Sequence, residues 1–141
     1  MWGRLDETKL HLSHSFDIAI GSELMYYKTD VLLLSETVSD LLAPDGVFIH
    51  THHFRVCGLQ SQLLESMRAV GMSTLECKPT DFLSPADQSD HPEWLQIKCL
   101  ISAPPAVAAR LSADNAFLTE FIPSDTGDDD GEIDSNSDSE P

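Results

Sequence analysis

The chain reads as an α/β protein built on a parallel sheet, and three observations carry that reading. The run FDIAIGSELM is apolar on both of the faces a strand would present; a helix-period pattern follows it; and strand and helix then alternate as far as residue 103. Alternation of this kind implies parallel strands joined by right-handed crossovers.

Each element has its own warrant. In Phe16 to Met25, Ile18 and Ile20 point one way and Ala19 and Gly21 the other, so the strand suits the interior of a parallel sheet. Thr29 or Asp30 offers an N-cap, and Val31, Leu34, Val38, Leu41 and Leu42 recur at helical spacing until Pro44 and the turn pair Asp45-Gly46 end the run. Val47 to Phe54 is the next strand. Gly58 leads into a second helix carrying Leu59, Leu63, Met67 and Val70 on one face, which Gly71 closes from the C′ position. Ser73 to Lys78 is a third strand, residues 79–92 a loop rich in Pro, Asp and Ser, and Trp94 to Ser102 a fourth strand. In that strand Leu95, Ile97, Cys99 and Ile101 share a face opposite Trp94, Gln96, Lys98 and Leu100. The short connection before it predicts an antiparallel final pair. Residues 104–123 have room for a short helix around Ala106 to Leu111.

Composition narrows the function classes. Of 141 residues, 24 are Asp or Glu and 8 are Lys or Arg, a formal net charge of −16, and 41% are hydrophobic, enough for one core. Eight of the acids, from Asp125 to Glu140, lie beyond Pro123 with no Lys or Arg among them. Low hydropathy and self-repulsion predict a disordered acidic tail there. Such a chain is poorly suited to nucleic acid or to an anionic membrane, both of which call for clustered cations. Cys57, Cys77 and Cys99 are odd in number and lack C-x-x-C spacing, which reads as reduced thiols. No apolar run is long enough for a membrane span, and the N-terminus lacks a signal-peptide core, so a cytoplasmic or nuclear location is expected.

The stretch FDIAIGSELMYY then ends in a carboxylate and two phenols at the carboxyl end of its strand, where open parallel sheets bind ligands. It resembles the fourth-strand motif of seven-strand, Rossmann-like S-adenosylmethionine-dependent methyltransferases, most nearly the group that methylates lysine in non-histone proteins. The matching positions are Phe16-Asp17, Ile18 to Ile20, Gly21, Ser22, Glu23 and Tyr26. LLAPDGVFIH resembles the passage into the fifth strand, Leu59 to Met72 the helix before the sixth, and WLQIKCLIS the antiparallel seventh. Trp2-Gly3 resembles the W-G pair that the group carries after its third strand.

The resemblance spans Trp2 to Ser102 and implies the C-terminal half of such a domain, strands four to seven with their crossover helices. None of the seven glycines forms a G-x-G turn, and nothing matches strands one to three. The expected organisation is a remnant over 1–15, a partial methyltransferase domain over 16–103, a C-terminal extension over 104–122 and the acidic tail over 123–141. One edge of the 16–25 strand and one sheet face are expected to lie open, inviting self-association or a partner.

The resemblance implies the following roles. S-adenosyl-L-methionine would be the cofactor, dependent on the absent half, with Trp2 near its adenine and the Ser22 backbone near its methionine end. Tyr26, with Tyr27 assisting, would line the channel for a lysine of a protein substrate, and Glu23 would accept a hydrogen bond from the amine or position the Tyr26 loop. Alignment of a neutral amine with the methyl is what the transfer requires, and no metal is needed. His50, His52 and His53 in HTHHF could suggest zinc, but two same-face histidines supply half a tetrahedral shell, so lining the cleft is the reading kept. No thiol is paired with an imidazole. In the tail, Thr126, Ser135 and Ser137 each precede an acid by three residues, the pattern an acid-directed kinase reads; the alternative is simple solvation. Two functions follow: a protein-lysine methyltransferase present without its cofactor-binding half, or an inactive half-domain that binds proteins.

Overall fold

The computed structural model describes residues 2–25 and 30–124. A five-stranded mixed sheet carries the fold: β1 (Phe16–Ser22), β2 (Leu42–His52), β3 (Ser73–Cys77), β4 (Lys98–Ala103) and β5 (Leu118–Glu120). Their spatial order is β1-β2-β4-β3-β5. Only β1 and β2 pair in parallel, whereas β2 with β4, β3 with β4, and β3 with β5 are antiparallel. β1, β2 and β3 therefore run the same way, as the helical crossovers predict, and β4 is inserted against them between β2 and β3.

Local chemistry explains the helices. In α1 (Val31–Leu41) the Asp30 carboxylate accepts from the Leu33 N–H at 3.1 Å, and Val31, Leu34 and Val38 are buried. Asp30 supplies the expected cap and Val31, Leu34 and Val38 the expected buried face, but the helix stops at Leu41: Leu42 to Gly46, expected as helix end and turn, belong to β2. α2 (Leu59–Ala69) begins after Gly58 and ends in a Schellman turn. The Met72 N–H donates to the Met67 carbonyl and the Gly71 N–H to that of Arg68, both at 2.9 Å, with Gly71 at φ +83°. α3 (Pro79–Phe82) and α4 (Pro85–Asp90) occupy the segment expected as a loop, each opened by a proline at its first turn. α5 (Pro105–Asp114) extends the expected short helix at both ends.

Register sorts the side chains by face. Ala19, Gly21, Phe48, His50, Leu100 and Thr74 follow one side across the pairs, and α1 and α2 cover it with Leu34, Leu59, Leu63 and Met67. Full burial of each such side chain stabilises by about 1.5–3 kcal/mol. Opposite, α5 covers only the β3 and β5 end through Ala108 and Leu111 on Leu75, Cys77 and Leu118. The β1 end of that second face stays open: Phe16 is 42% exposed, Ile18 55% and Ile20 78%. β1 is also the sheet edge. An open face and an unpaired apolar edge thus occur together, as expected.

Further sequence expectations are revised. The first strand ends at Ser22, because Glu23 adopts a left-handed φ of +53° and turns the chain. Its neighbour ends at His52, short of Phe54. Trp94 to Gln96 are not strand: Pro92–Gln96 is a 3-10 turn, with Pro92 fixing its first φ and Trp94 stacked on His91 at 4.0 Å. The alternation that suggested a strand there was fortuitous. Finally, 118–120 form a strand that nothing in the sequence marked, and Phe121 beyond it enters the main core. Near the start of β2, Asp17 alone opposes the four residues Ala43 to Gly46, so the Pro44–Asp45 turn bulges from the ladder. The Phe16 carbonyl would lie 3.0 Å from a Cβ at Gly46, leaving little room for a side chain.

Gly71→Ala should cost about 1 kcal/mol of unfolding free energy, measured from urea midpoints, because no atom lies within 4 Å of the added methyl and only the backbone conformation resists it. An unchanged midpoint would remove the left-handed cap from the account.

Candidate functional site

At the carboxyl ends of β1 and β2 the chain makes two turns that meet. Glu23 follows β1 in its left-handed conformation, and its N–H donates to the Thr51 carbonyl at 2.9 Å. Its carboxylate reaches across to the residues after β2, where Oε2 accepts from the His53 N–H at 2.6 Å and Oε1 from Arg55 Nη1 at 3.2 Å. Glu23 therefore clamps the two strand ends together. Burial pushes its pKa up, yet the His53 N–H and the Arg55 guanidinium outweigh that and hold it below the usual carboxylate range. The group stays ionised at neutral pH and is unsuited to be a general base there.

Beside this clamp, Ser22 Oγ accepts from Thr51 Oγ1 at 3.1 Å. These residues wall a cleft of about 430 Å³ together with His53, Arg55, Glu93, Trp94 and Ile97. Gly21, just before it, is buried, and a Cβ there would collide with the Leu24 side chain and lie 3.3 Å from the Phe48 ring. A larger residue here would have to move the Leu24 side chain and crowd the Phe48 ring.

Under the helices the three histidines divide. His53 lies in the cleft with Nε2 at 3.1 Å from Gln96 Oε1. His50 and His52 instead face the core and continue an aromatic ladder: Phe48 to His50 centroids are 5.4 Å apart and nearly parallel, His50 to His52 5.6 Å, and His52 to Phe54 4.7 Å. Neither nitrogen of His50 has a hydrogen-bond partner among the described residues, nor has His52 Nδ1, which is 3.8 Å from Glu23 Oε2. Burial, reinforced by His52, lowers the pKa of His50 to about 4. Burial likewise lowers that of His52, with Glu23 opposing. No group of three or more potential metal ligands occurs among the described residues. Cys77 and Cys99 face each other across β3 and β4, and burial raises both thiols, so they are poor nucleophiles.

Of the residues singled out in the sequence, Ser22, Glu23 and His53 come together in one cleft, whereas His50 and His52, expected to line it, are buried in the core because their strand face lies under the helices. Tyr26, Tyr27 and the acidic tail from Asp125 onward lie outside the described residues. Trp2 lies in a different cleft, lined also by Gly3, Arg4, Leu12, Thr37 and Leu41, where the Gly3 N–H donates to Thr37 Oγ1. S-adenosylmethionine does not fit the described residues alone: Trp2 and Ser22 line separate clefts and no glycine-rich turn joins them. Arg55, Glu93 and Trp94 escaped the sequence reading. The one available signal was Pro92, which marks a turn.

No protein-family model and no curated protein matches the chain. Among solved structures it is similar to the cyclase SpnF, at 15% identity and a TM-score of 0.43 over 65% of this chain and 50% of that one. It is also similar to geranyl diphosphate C-methyltransferase from Streptomyces coelicolor A3(2), at 11% identity and a TM-score of 0.41 over 65% and 49%. The chain spans about half the length of each. The likeness to both is distant, and no helix among the described residues is long and apolar enough to cross a membrane.

Because His50 takes up a proton near pH 6.5 when unfolded and only near 4 when folded, the unfolded chain holds the extra proton in between. Its contribution is complete above pH 6.5, declines as the pH falls toward 4 and is level below that, amounting to about 3 kcal/mol. His50→Leu should shrink the loss of stability between pH 7 and 4.5 in denaturant titrations. Parallel profiles for the variant and the parent would exclude this origin.

Proposed function

We propose that this chain is the acceptor-side part of an S-adenosylmethionine-dependent methyltransferase that modifies lysine in proteins. One observation carries the reading: Glu23, at the carboxyl end of β1, is held ionised and immobile at the mouth of a cleft, at the head of the segment leading to Tyr26. The sequence motif from Phe16 to Tyr26 supports it. Residues outside the described set would have to hold the cofactor, so the roles assigned here are those of binding and orientation. Glu23 would accept from the substrate amine with its remaining lone pairs, since the described residues supply only one donor to each oxygen. Arg55 would keep that carboxylate from swinging into the cleft.

The test uses the natural protein, captured through residues 125–141 and supplied with radiolabelled S-adenosylmethionine and lysine-rich acceptor proteins. Labelled methyl-lysine in the hydrolysate is the expected result. Glu23→Gln retains an acceptor for the His53 N–H and should transfer about tenfold less, the size of one charge-assisted hydrogen bond. Absence of label, together with no rise in melting temperature on adding S-adenosylhomocysteine, would overturn the reading.

A second reading is favoured by the open side of β1: an inactive half-domain that associates through its edge. Phe16, Ile18 and Ile20 are exposed on one face of β1, whose outer edge pairs with no strand among the described residues, which favours strand addition by another chain. Self-association through residues 16–25 is the simplest form. Light scattering should then give a mass above that of one chain, reverting to one chain in Ile18→Lys/Ile20→Lys. A parent protein that is already monomeric at tens of micromolar, on the order used for such measurements, would set this reading aside.

A further inference from the structure

The cleft beside Glu23 has a wall that neither function assigns. Pro92–Gln96 carries Glu93 and Trp94 over the ends of β1 and β2, opposite Glu23 and Arg55. His91 packs flat against the Trp94 ring, at 4.0 Å between centroids and 14° between planes, and its Nδ1 lies 3.6 Å from Glu93 Oε2. One face of the indole is thus covered by His91, while Trp94 remains 37% exposed. Two carboxylates and one guanidinium line the cleft, and these three groups together leave a net charge of −1. Arg55 is engaged by Glu23, and among the described residues no ion pair other than that with His91 is formed by Glu93. Hydroxyls of Ser22 and Thr51 complete the floor with neutral acceptors.

We infer that this cleft binds the ammonium end of a lysine side chain from a basic protein segment, with Trp94 as the aromatic wall and Glu93 as its counter-ion. An aromatic face attracts a cation through its quadrupole, and a carboxylate beside it adds direction. Apolar guests gain only the indole and Ile97, whereas anions meet two carboxylates. Neither Glu93 nor Trp94 contributes to the core: both lie on an exposed turn and are free to serve recognition. The choice of lysine over other cations rests on the transferase reading, but binding itself does not require methyl transfer.

Trp94 reports on its own cleft once Trp2→Phe removes the other tryptophan. In that background, Nα-acetyl-lysine methylamide should quench the fluorescence saturably, and more strongly at low salt. Nα-acetyl-norleucine methylamide, of similar length but uncharged, should not. Glu93→Gln should weaken the lysine response roughly threefold to fivefold and Glu93→Lys should abolish it, each with an unchanged urea midpoint because the site is exposed. Equal quenching by norleucine, or an undiminished response in Glu93→Lys, would overturn the inference; a stronger response to Nα-acetyl-arginine methylamide would overturn the choice of lysine. Failure of the transferase reading leaves a different signature, namely lysine binding intact with no methyl-lysine formed.

Discussion

Parallel pairing of β1 with β2 decides which side chains meet the helices, and most other properties of the molecule depend on that. With Ala19 opposite Phe48 and Gly21 opposite His50, one face receives small residues on the edge strand and large rings on its neighbour. α1 and α2 can then settle closely enough to bury Leu34, Leu63 and Met67. A slip of β1 by one residue would turn Ile18 and Ile20 inward and Ala19 and Gly21 out, because alternation along a strand has a period of two. A side chain at the Gly21 position would have to displace Leu24 and press on the Phe48 ring, which disfavours that slip.

The same register has an electrostatic outcome. It draws His50 and His52 into the apolar layer, where burial keeps them neutral, and leaves His53 at the rim. Three adjacent or near-adjacent imidazoles therefore do two jobs. Two continue a ring ladder beneath the helices, and the third, through its backbone N–H, helps hold Glu23 ionised. Asymmetry of cover between the sheet faces follows as well: α5 reaches β3 and β5 but not β1, so an apolar edge and face remain open beside a polar cleft.

Part of the cleft's lining was legible because one strand motif carries it. Glu23 and Ser22 could be placed from FDIAIGSELMYY, since a strand that stops in polar residues at its carboxyl end must deliver them to the sheet rim. Arg55, Glu93 and Trp94 could not. Arg55 finds Glu23 across 32 residues and Trp94 reaches the cleft from beyond the sixties helix and a third strand, and neither meeting leaves a periodic trace. The Trp94 to Ser102 alternation even pointed the wrong way, because a 3-10 turn beginning at a proline can follow an alternating pattern by chance.

What the sequence by itself determined is what neighbours along the chain determine. Asp30 and Gly71 set helix ends through hydrogen bonds within a few residues, the helical faces follow from the recurrence of Leu and Val, and the charge excess beyond Pro123 is composition alone. Only the tertiary structure decided that β4 enters between β2 and β3, that 118–120 joins the sheet edge, and that Phe121 crosses into the main core. Strand order and residue pairing are choices among partners far apart in the chain. They are made by which apolar faces can be covered together, a quantity that no local window of sequence contains.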